Sequence, residues 1–191
     1  MGKITGIVAL VCLLNCTVRG EPSGCDGDKC NNVITEAQPN IRAQVVDTLV
    51  SYLGVKELTG NNDGPEVEMF IASTGLDPKG QYPWCAAFIS YCFQANGLAV
   101  PRHSARAAAW FPPEKIIADK KAIEGDLFSL YYANLGRIGH IGMYLEPYHN
   151  PTPYIVTGEG NTNAQGSREG NQAAKRFRPR GVVNNSSNWI D

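Results

Sequence analysis

The amino-acid sequence predicts an α+β fold in which a group of helices comes first and an antiparallel β-sheet follows. Up to about residue 110, apolar residues recur at three- and four-residue spacing, which indicates amphipathic helices. Beyond residue 125, short runs rich in aromatic and β-branched residues alternate with turn residues, which is typical of strands. The chain has 191 residues, of which 43% are hydrophobic and 18% are charged, and this composition fits one globular domain.

The charge balance argues against nucleic acid as a partner. There are 17 Lys and Arg residues against 18 Asp and Glu residues, so the formal net charge is −1. Such a chain has no overall positive field to attract a polyanion. No apolar run approaches the roughly 20 residues that a membrane-spanning helix needs. We therefore expect no nucleic-acid partner and no membrane span. The protein is also expected to be a monomer.

The first 40 residues predict export and a tether. Residues 4–14 form an apolar run after Lys3, and residues 18–20 suit cleavage, so residues 1–20 are interpreted as a signal peptide. Cys16 offers an alternative, because it lies where a lipoprotein-like site would attach a lipid anchor. Residues 21–40 are polar and are interpreted as a tether, in which Cys25 and Cys30 could form a small disulfide in an oxidising compartment. The protein is thus expected to be secreted, extracellular or periplasmic, with its domain at residues 41–191.

Three helices are predicted before the sheet, with a short fourth between Ser104 and about Trp110. The first begins near Ile41, where apolar residues recur every four positions. The second begins at Pro65, which suits a first helical turn, and Gly75 stops it. The third ends at Gly97. Its apolar stripe consists of Cys85, Phe88, Ile89, Cys92 and Phe93. Strands are then predicted at residues 126–132, 140–145, 154–157 and 174–183.

Cys85 is the predicted nucleophile because it falls in the first turn of the third helix. Free N–H groups and the helix dipole favour a thiolate at that position. Cys92 lies two turns later and is expected to be a core residue. A disulfide between the two is not expected. Seven residues of helix span about 10.5 Å, whereas a disulfide needs Cα atoms closer than about 7 Å.

A catalytic thiol also needs a base and a group that orients the base. His140 is the predicted base, since it opens a strand between Gly139 and Gly142, where a substrate backbone could come close. Glu159 and Asn161 follow the next strand and share one side if the chain stays extended. Either of them could orient the imidazole, although the charge of a carboxylate favours Glu159.

A series of short motifs resembles, in order, those of the CHAP family of cysteine, histidine-dependent amidohydrolases/peptidases, and the resemblance covers roughly residues 41–190. The segment around the cysteine reads Tyr-Pro-Trp-Cys-Ala-Ala-Phe, and Gly125-Asp126 resembles the start of the family's central strand. The histidine strand reads Gly-His-Ile-Gly, and a Glu-Gly-Asn element follows it. Residues 166–170, Gly-Ser-Arg-Glu-Gly, resemble the loop that comes next.

The resemblance implies a papain-like fold and hydrolysis of amide bonds in bacterial peptidoglycan. It implies that Cys85 attacks the amide carbonyl, that His140 moves the proton, and that Glu159 orients His140. Asn161 would assist or donate to the oxyanion, together with the backbone N–H of Cys85. Substrate contacts are expected from Trp84, Arg106 and Trp110, with Arg106 suited to a stem-peptide carboxylate.

No cofactor or required metal is expected, because the loop before the cysteine offers Asp77 but no run of acidic ligands. The basic run at residues 175–180 is interpreted as an exposed strand, which could instead favour an anionic wall polymer. Two alternative functions stay open from the sequence. One is a catalytically silent, secreted wall-binding domain of the same fold. The other is a thiol amidase or transacylase toxin that acts on another substrate.

Overall fold

A computed structural model describes residues 40–148, 152–163 and 170–191. The predicted signal peptide, Cys16, Cys25, Cys30 and all of the tether except Asn40 lie outside these residues. The helices are α1 (Ile41–Ser51), α2 (Pro65–Ser73) and α3 (Cys85–Ala95). The strands are β1 (Ile116–Ile117), β2 (Leu127–Tyr132), β3 (Arg137–Tyr144), β4 (Tyr154–Thr162), β5 (Gln172–Pro179) and β6 (Asn185–Ser187). Helices followed by an antiparallel sheet confirm the predicted α+β class.

Local sequence signals set the helix ends. The Asn40 side chain accepts hydrogen bonds from the backbone N–H groups of Arg42 and Ala43 and so caps α1. Pro65 occupies the start of α2, where its missing N–H costs nothing. Gly97 follows the C-cap of α3 with a φ of 72°, a left-handed conformation that glycine adopts without a steric penalty.

The six strands form one antiparallel sheet in the order β1-β6-β2-β3-β4-β5. An ion pair at 2.9 Å joins Arg42 of α1 to Asp126, which directly precedes β2. Both side chains are almost entirely buried, so this pair fixes the first helix against the start of the sheet. The Gly-Asp element therefore has a structural role.

Helix α3 packs against the inner strands β3 and β4, and its apolar face forms the centre of the main core. The contact is close at Gly160 of β4, where an added Cβ would lie 2.7 Å from the Trp84 ring and 2.8 Å from the Phe88 ring. Aromatic rings from the C-cap of α1 and from α2 and α3 pack against one another in this core, namely Tyr52, Phe70, Phe88 and Tyr91. The start of α3 is thus held rigidly against the two strands that carry the predicted histidine and carboxylate.

Several details differ from the sequence-based prediction. Strand β3 begins at Arg137, so His140 lies inside the strand and does not open it. Strand β4 continues to Thr162, so Glu159 and Asn161 lie within it and do not follow it.

The expected helix from Ser104 to Trp110 is only a 3-10 turn at Ala107–Trp110. Strands β1 and β6 were not predicted, since β1 is two residues long and β6 reads Asn-Ser-Ser, without the β-branched or aromatic residues that mark strands. The last predicted strand begins at Gln172 and ends at Pro179, after which the chain turns. No helix in the described ranges is both long and apolar enough to cross a membrane.

Candidate active site

The thiol of Cys85 lies at the first residue of α3, as the sequence predicts. The residue is 6% exposed and lines an open groove of about 330 Å³. The backbone N–H groups of Ala86 and Ile141 point at its sulfur and stabilise a negative charge there. A nearly buried thiol is therefore reachable from one side and surrounded by donors on the other.

His140 and Glu159 meet beneath that thiol. The Nε2–H of His140 donates to a carboxylate oxygen of Glu159 at 2.8 Å, and both side chains are buried. The other ring nitrogen, Nδ1, is buried without a hydrogen-bond partner among the described residues, and Cys85 is the other ionisable group whose charge acts on the ring. Gly142 of β3 makes room for this arrangement, because an added Cβ would lie 2.7 Å from Glu159 Cγ. Of the two glycines beside His140, only Gly139 lines the groove.

Arg178 of β5 holds the far side of the Glu159 carboxylate. Its Nε donates to one oxygen at 2.8 Å and its Nη2 to the other at 2.5 Å. The Thr157 hydroxyl adds a third bond at 2.7 Å. Bidentate pairing of this kind fixes both the position and the charge of a carboxylate. The interpretation of residues 175–180 as an exposed basic strand is therefore wrong at Arg178, which points inward.

The electrostatics favour a thiolate–imidazolium pair. Burial opposes ionisation of Cys85, but the interaction with His140 outweighs it and holds the pKa of the thiol below its ordinary value. Burial likewise opposes protonation of His140, yet Cys85 and Glu159 together raise the pKa of the imidazole to about 9. Despite burial, hydrogen bonds from Arg178 and His140 keep the pKa of Glu159 far below its usual range. Both shifts favour a thiolate at Cys85 that faces a protonated His140.

Asn161 does not share the side of the chain that Glu159 occupies. A register shift interrupts the pairing of β4 and β5 between Glu159 and Thr162, and Asn161 has a left-handed φ of 53°. Its amide nitrogen donates to the carbonyl oxygen of Gly170 at 2.6 Å, and no hydrogen bond joins it to His140. The expectation that the two residues face the same side fails because the chain is not extended at Asn161.

Asn161 instead belongs to a network that supports the segment before Cys85. Glu57 accepts hydrogen bonds from Trp84 Nε1 at 2.8 Å and from the Asn161 amide at 3.3 Å. The Asn161 amide also donates to Asn62, whose own amide donates to the carbonyl oxygen of Gln81. Asn62, Gln81 and Asn161 are the non-glycine residues with positive φ in the described part of the chain. Strained conformations of this kind persist only where surrounding contacts fix them.

Two of the three predicted substrate-contacting residues lie in the core. Trp84 and Trp110 are fully buried, and neither lines the groove. Trp110 donates from Nε1 to the Ser104 carbonyl and packs edge-on against Phe93 and Trp189. The expectation that they contact substrate is therefore wrong, and burial of a large ring with a satisfied N–H is the reason. Arg106 does line the groove, and Arg137 joins it there.

Two residues of the site were missed in the sequence. Arg178 lies in a run with several basic residues, so nothing in the sequence distinguishes it from its neighbours. Arg137 has no recognisable motif around it. A period-two pattern places Arg178 on the same strand face as Ala174 and Arg176, but the sequence does not say which face of an edge strand is buried. No group of three or more His, Cys, Asp or Glu side chains suited to a metal ion occurs among the described residues.

Comparison with known proteins gives a family match. The model of the NlpC/P60 family matches residues 78–174, slightly more than half of the chain, including Cys85, His140 and Glu159. A comparison with curated proteins gave no match. Among solved structures, the chain is similar to a Staphylococcus aureus protein described as similar to a lipoprotein of the NLP/P60 family, with a TM-score of 0.49 and 16% identity. That match covers 82% of this chain but 44% of the other, so the chain spans less than half of that relative's length.

Proposed function

Because this chain belongs to the NlpC/P60 family, a family of cysteine peptidases, we propose that it is an exported hydrolase of amide bonds in bacterial peptidoglycan. The observation that carries the proposal is the continuous array from the groove inward, Cys85, His140 and Glu159, backed by Arg178. The predicted signal peptide, or the lipid anchor at Cys16, would place the domain outside the cytoplasm where peptidoglycan lies.

The proposed reaction begins with attack of the Cys85 thiolate on the amide carbonyl. Backbone N–H groups at the start of α3, including that of Cys85, stabilise the oxyanion, because the first turn of a helix leaves them free. The protonated His140 gives its Nδ1 proton to the leaving amine, and a thioester joins the acyl group to Cys85. His140 then takes a proton from water as the water attacks the thioester, which releases the acid and regenerates the thiolate–imidazolium pair.

Glu159 keeps His140 in the orientation and protonation state that both steps need. Its carboxylate fixes Nε2–H, so Nδ1 is the nitrogen that exchanges the proton with sulfur and substrate. Arg178 and Thr157 prevent Glu159 from rotating or taking up a proton. In this scheme Asn161 supports the segment before Cys85. Backbone N–H groups, and not the Asn161 amide, donate hydrogen bonds to the oxyanion.

The motif resemblance to the CHAP family supports the same thiol chemistry and leaves open which amide is cut. An N-acetylmuramoyl-L-alanine amidase separates sugar from peptide, whereas an endopeptidase cuts within the stem peptide or its cross-bridge. Mass spectrometry of the fragments released from purified peptidoglycan distinguishes the two.

The test of the proposal is a pair of matched substitutions on one helix. We expect Cys85→Ser to abolish release of soluble fragments from peptidoglycan, whereas Cys92→Ser should retain turnover within about threefold, since a buried residue two turns from the groove touches no substrate. Circular dichroism and thermal melting establish that both variants fold. Equal activity of the Cys85→Ser variant and the parent protein would refute the nucleophile, and no release by the parent protein would refute the substrate.

A further inference from the structure

The segment that leads into Cys85 contacts the carboxylate of Glu57, which lies in the chain between α1 and α2. One carboxylate oxygen accepts hydrogen bonds from Trp84 Nε1 at 2.8 Å and from the Asn161 amide at 3.3 Å. The other oxygen accepts the backbone N–H of Asn62 at 3.0 Å. Glu57 therefore joins the residue before the nucleophile, strand β4 and the loop before α2 at a single point.

Glu57 is itself held in place by its backbone. Its N–H donates to the carbonyl oxygen of Asn171, directly before β5, at 2.9 Å. Asp63 closes the loop that follows, because its carboxylate accepts the backbone N–H of Thr59 at 2.9 Å and the hydroxyl of the same residue at 2.6 Å. The carboxylate of Glu57 can therefore serve as a fixed point for the donors that contact it.

The indole of Trp84 connects this fixed point to the reacting thiol. Trp84 is the N-cap residue of α3, and its neighbours on both sides, Pro83 and Cys85, line the groove. Its ring packs on Gly160 of β4, where an added Cβ would lie 2.7 Å from the ring. Gly160 directly follows Glu159 in the chain, so a shift of the ring would move the nucleophile relative to the strand that orients the base.

Backbone strain is concentrated in the same network. Asn62 donates from its amide to the carbonyl oxygen of Gln81 at 3.2 Å, and both residues have a φ of 54°. Asn161 has a φ of 53°. Residues other than glycine adopt such conformations at a cost, and the conformations persist only where surrounding contacts fix them. Two of the three strained residues, Asn62 and Asn161, bond directly to Glu57.

We propose that Glu57 is a positioning residue, which acts through Trp84 on the nucleophile Cys85. It holds the sulfur in the alignment with His140 that proton transfer needs. This inference rests on the proposed function and adds to the reaction a group that lies outside the groove. A carboxylate suits the role because both of its oxygens accept hydrogen bonds, whereas an amide would turn a donor toward at least one of the three N–H groups. A misplacement of about 1 Å can cost on the order of 10²-fold in rate.

The experiment compares two indole N–H groups that make hydrogen bonds of equal length. Trp84→Phe keeps an aromatic ring and removes the donor to Glu57. Trp189→Phe is the matched control, since it removes a donor that bonds to the carbonyl oxygen of Trp110, also at 2.8 Å. Glu57→Gln, alone and combined with Trp84→Phe, completes a double-mutant cycle.

Three measurements are made on the full-length protein and each variant. Hydrolysis of solubilised peptidoglycan gives kcat and KM, and thermal melting gives the stability of the fold. The rate of Cys85 alkylation by iodoacetamide as a function of pH reports the pKa of the thiol without any substrate. A residue that supports only the fold would lower the melting temperature and leave the midpoint of that alkylation profile in place.

We expect kcat to fall roughly tenfold in Trp84→Phe and in Glu57→Gln while KM stays within about twofold, because the displaced group is the reacting sulfur. The alkylation midpoint should move to higher pH in both, since a misaligned imidazole stabilises less thiolate. Trp189→Phe should match the parent protein in kcat and in midpoint. The double variant should lose no more than the larger single loss, because both changes act through one contact.

Parent-like kcat and an unmoved midpoint in Trp84→Phe would overturn the inference. Additive losses in the double variant would also overturn it, as would equal losses in Trp84→Phe and the control Trp189→Phe. If the parent protein does not cleave peptidoglycan, the proposed function fails, and the alkylation midpoints alone decide whether Glu57 positions the thiol. If it does cleave and only the melting temperatures change, the proposed function stands and the role of Glu57 is structural.

Discussion

Helix α3 carries two cysteines on one buried face, and their surroundings differ in every respect that matters for reactivity. Cys85 begins the helix, meets backbone N–H groups and His140, and has a lowered pKa. Cys92 lies within the helix and is completely buried, and burial raises the pKa of its thiol far above the ordinary value. Both residues belong to the same hydrophobic cluster, so burial alone does not distinguish a reactive thiol from an inert one.

The difference shows what a buried thiolate needs. Desolvation raises the pKa of both thiols, and it is the largest influence on each. At Cys85 it is outweighed by a protonated imidazole, and that imidazole is in turn held by a carboxylate that Arg178 keeps ionised. Charges alternate along the array from sulfur to guanidinium, so each buried charge has a partner of opposite sign. Cys92 lacks such partners among the described residues and stays neutral.

The largest effect on this contrast is expected from Glu159→Gln. An amide cannot stabilise the imidazolium, and Arg178 loses its carboxylate partner beside the ring, so both changes lower the pKa of His140 below about 9. We expect kcat to fall on the order of 10²–10⁴-fold, as for other acid–base groups. The alkaline limb of the pH–rate profile, which reports loss of the His140 proton, should move to lower pH. Kinetics between about pH 5 and 10 measure both effects.

Asn161→Ala is the matched comparison for that substitution. It removes the amide that braces Glu57, Asn62 and Gly170 but leaves the charges around His140 in place. We therefore expect a smaller loss of kcat and an unmoved alkaline limb. A Glu159→Gln variant with normal kcat and an unchanged profile, beside an inactive Asn161→Ala variant, would reverse the two assignments.

The same array shows how far sequence reasoning reaches. Cys85 and His140 were identified because both lie within short local motifs, the Pro-Trp before the cysteine and the glycines around the histidine. Arg178 was not identified, because its role depends on which face of β5 is buried. The packing of the whole sheet determines that face, and no local sequence signal reports it. Phe177 is 65% exposed and Arg178 is buried, the reverse of what residue type alone suggests.

Long-range polar partners were equally invisible in the sequence. Glu57 lies 27 residues from Trp84 and 104 residues from Asn161, and no motif connects them. The tryptophans beside the cysteine and in the 3-10 turn were expected at the groove, but both lie in the core. Each N–H has an acceptor there, so burial of the large ring leaves no polar group unsatisfied. Sequence signals therefore predicted the elements and the reacting atoms better than the supporting contacts.

Arg178→Met should weaken the folded state by removing the counter-charge of Glu159. Breaking a buried ion pair by deleting one partner leaves a desolvated charge, which typically costs about 3–5 kcal/mol. Lys175→Met is the control on the same strand, since Lys175 and Glu146 are half-exposed and 3.5 Å apart, and such a surface pair contributes about 0–1 kcal/mol. Denaturant unfolding measures both variants. Equal stability of the two would show that Arg178 contributes little to keeping Glu159 ionised.

Alkylation compares the two thiols directly. At about pH 6 iodoacetamide reacts with thiolate, so Cys85 should be modified at least roughly tenfold faster than Cys92, which is both neutral and inaccessible. Peptide mapping after brief labelling gives the ratio. In Glu159→Gln the ratio should fall, because a weaker imidazolium stabilises less thiolate. Preferential labelling of Cys92 would contradict the assignment of the nucleophile.

The smallest effect is expected from removal of calcium. We attribute the activation of Cys85 to His140 and to backbone N–H groups. The loop before α3 has no set of oxygen ligands for a hard cation. Asp77 is the acidic residue of that loop, and one of its carboxylate oxygens accepts a hydrogen bond from the backbone N–H of Lys79 at 2.9 Å. Calcium takes six to eight oxygen ligands, and chelation by EGTA should therefore leave peptidoglycan hydrolysis within about twofold.

Two controls make that small effect informative. Asp77→Asn keeps the turn that Asp77 forms while removing its charge, and its activity should match the parent protein in the presence and absence of EGTA. Iodoacetamide should abolish the activity of both under the same conditions, which shows that the assay detects a true loss. Activity that disappears in EGTA and returns with added calcium would show that a cation takes part in shaping the groove or activating the thiol. The contrast between Cys85 and Cys92 would then need a metal, as well as His140 and the backbone donors, to explain it.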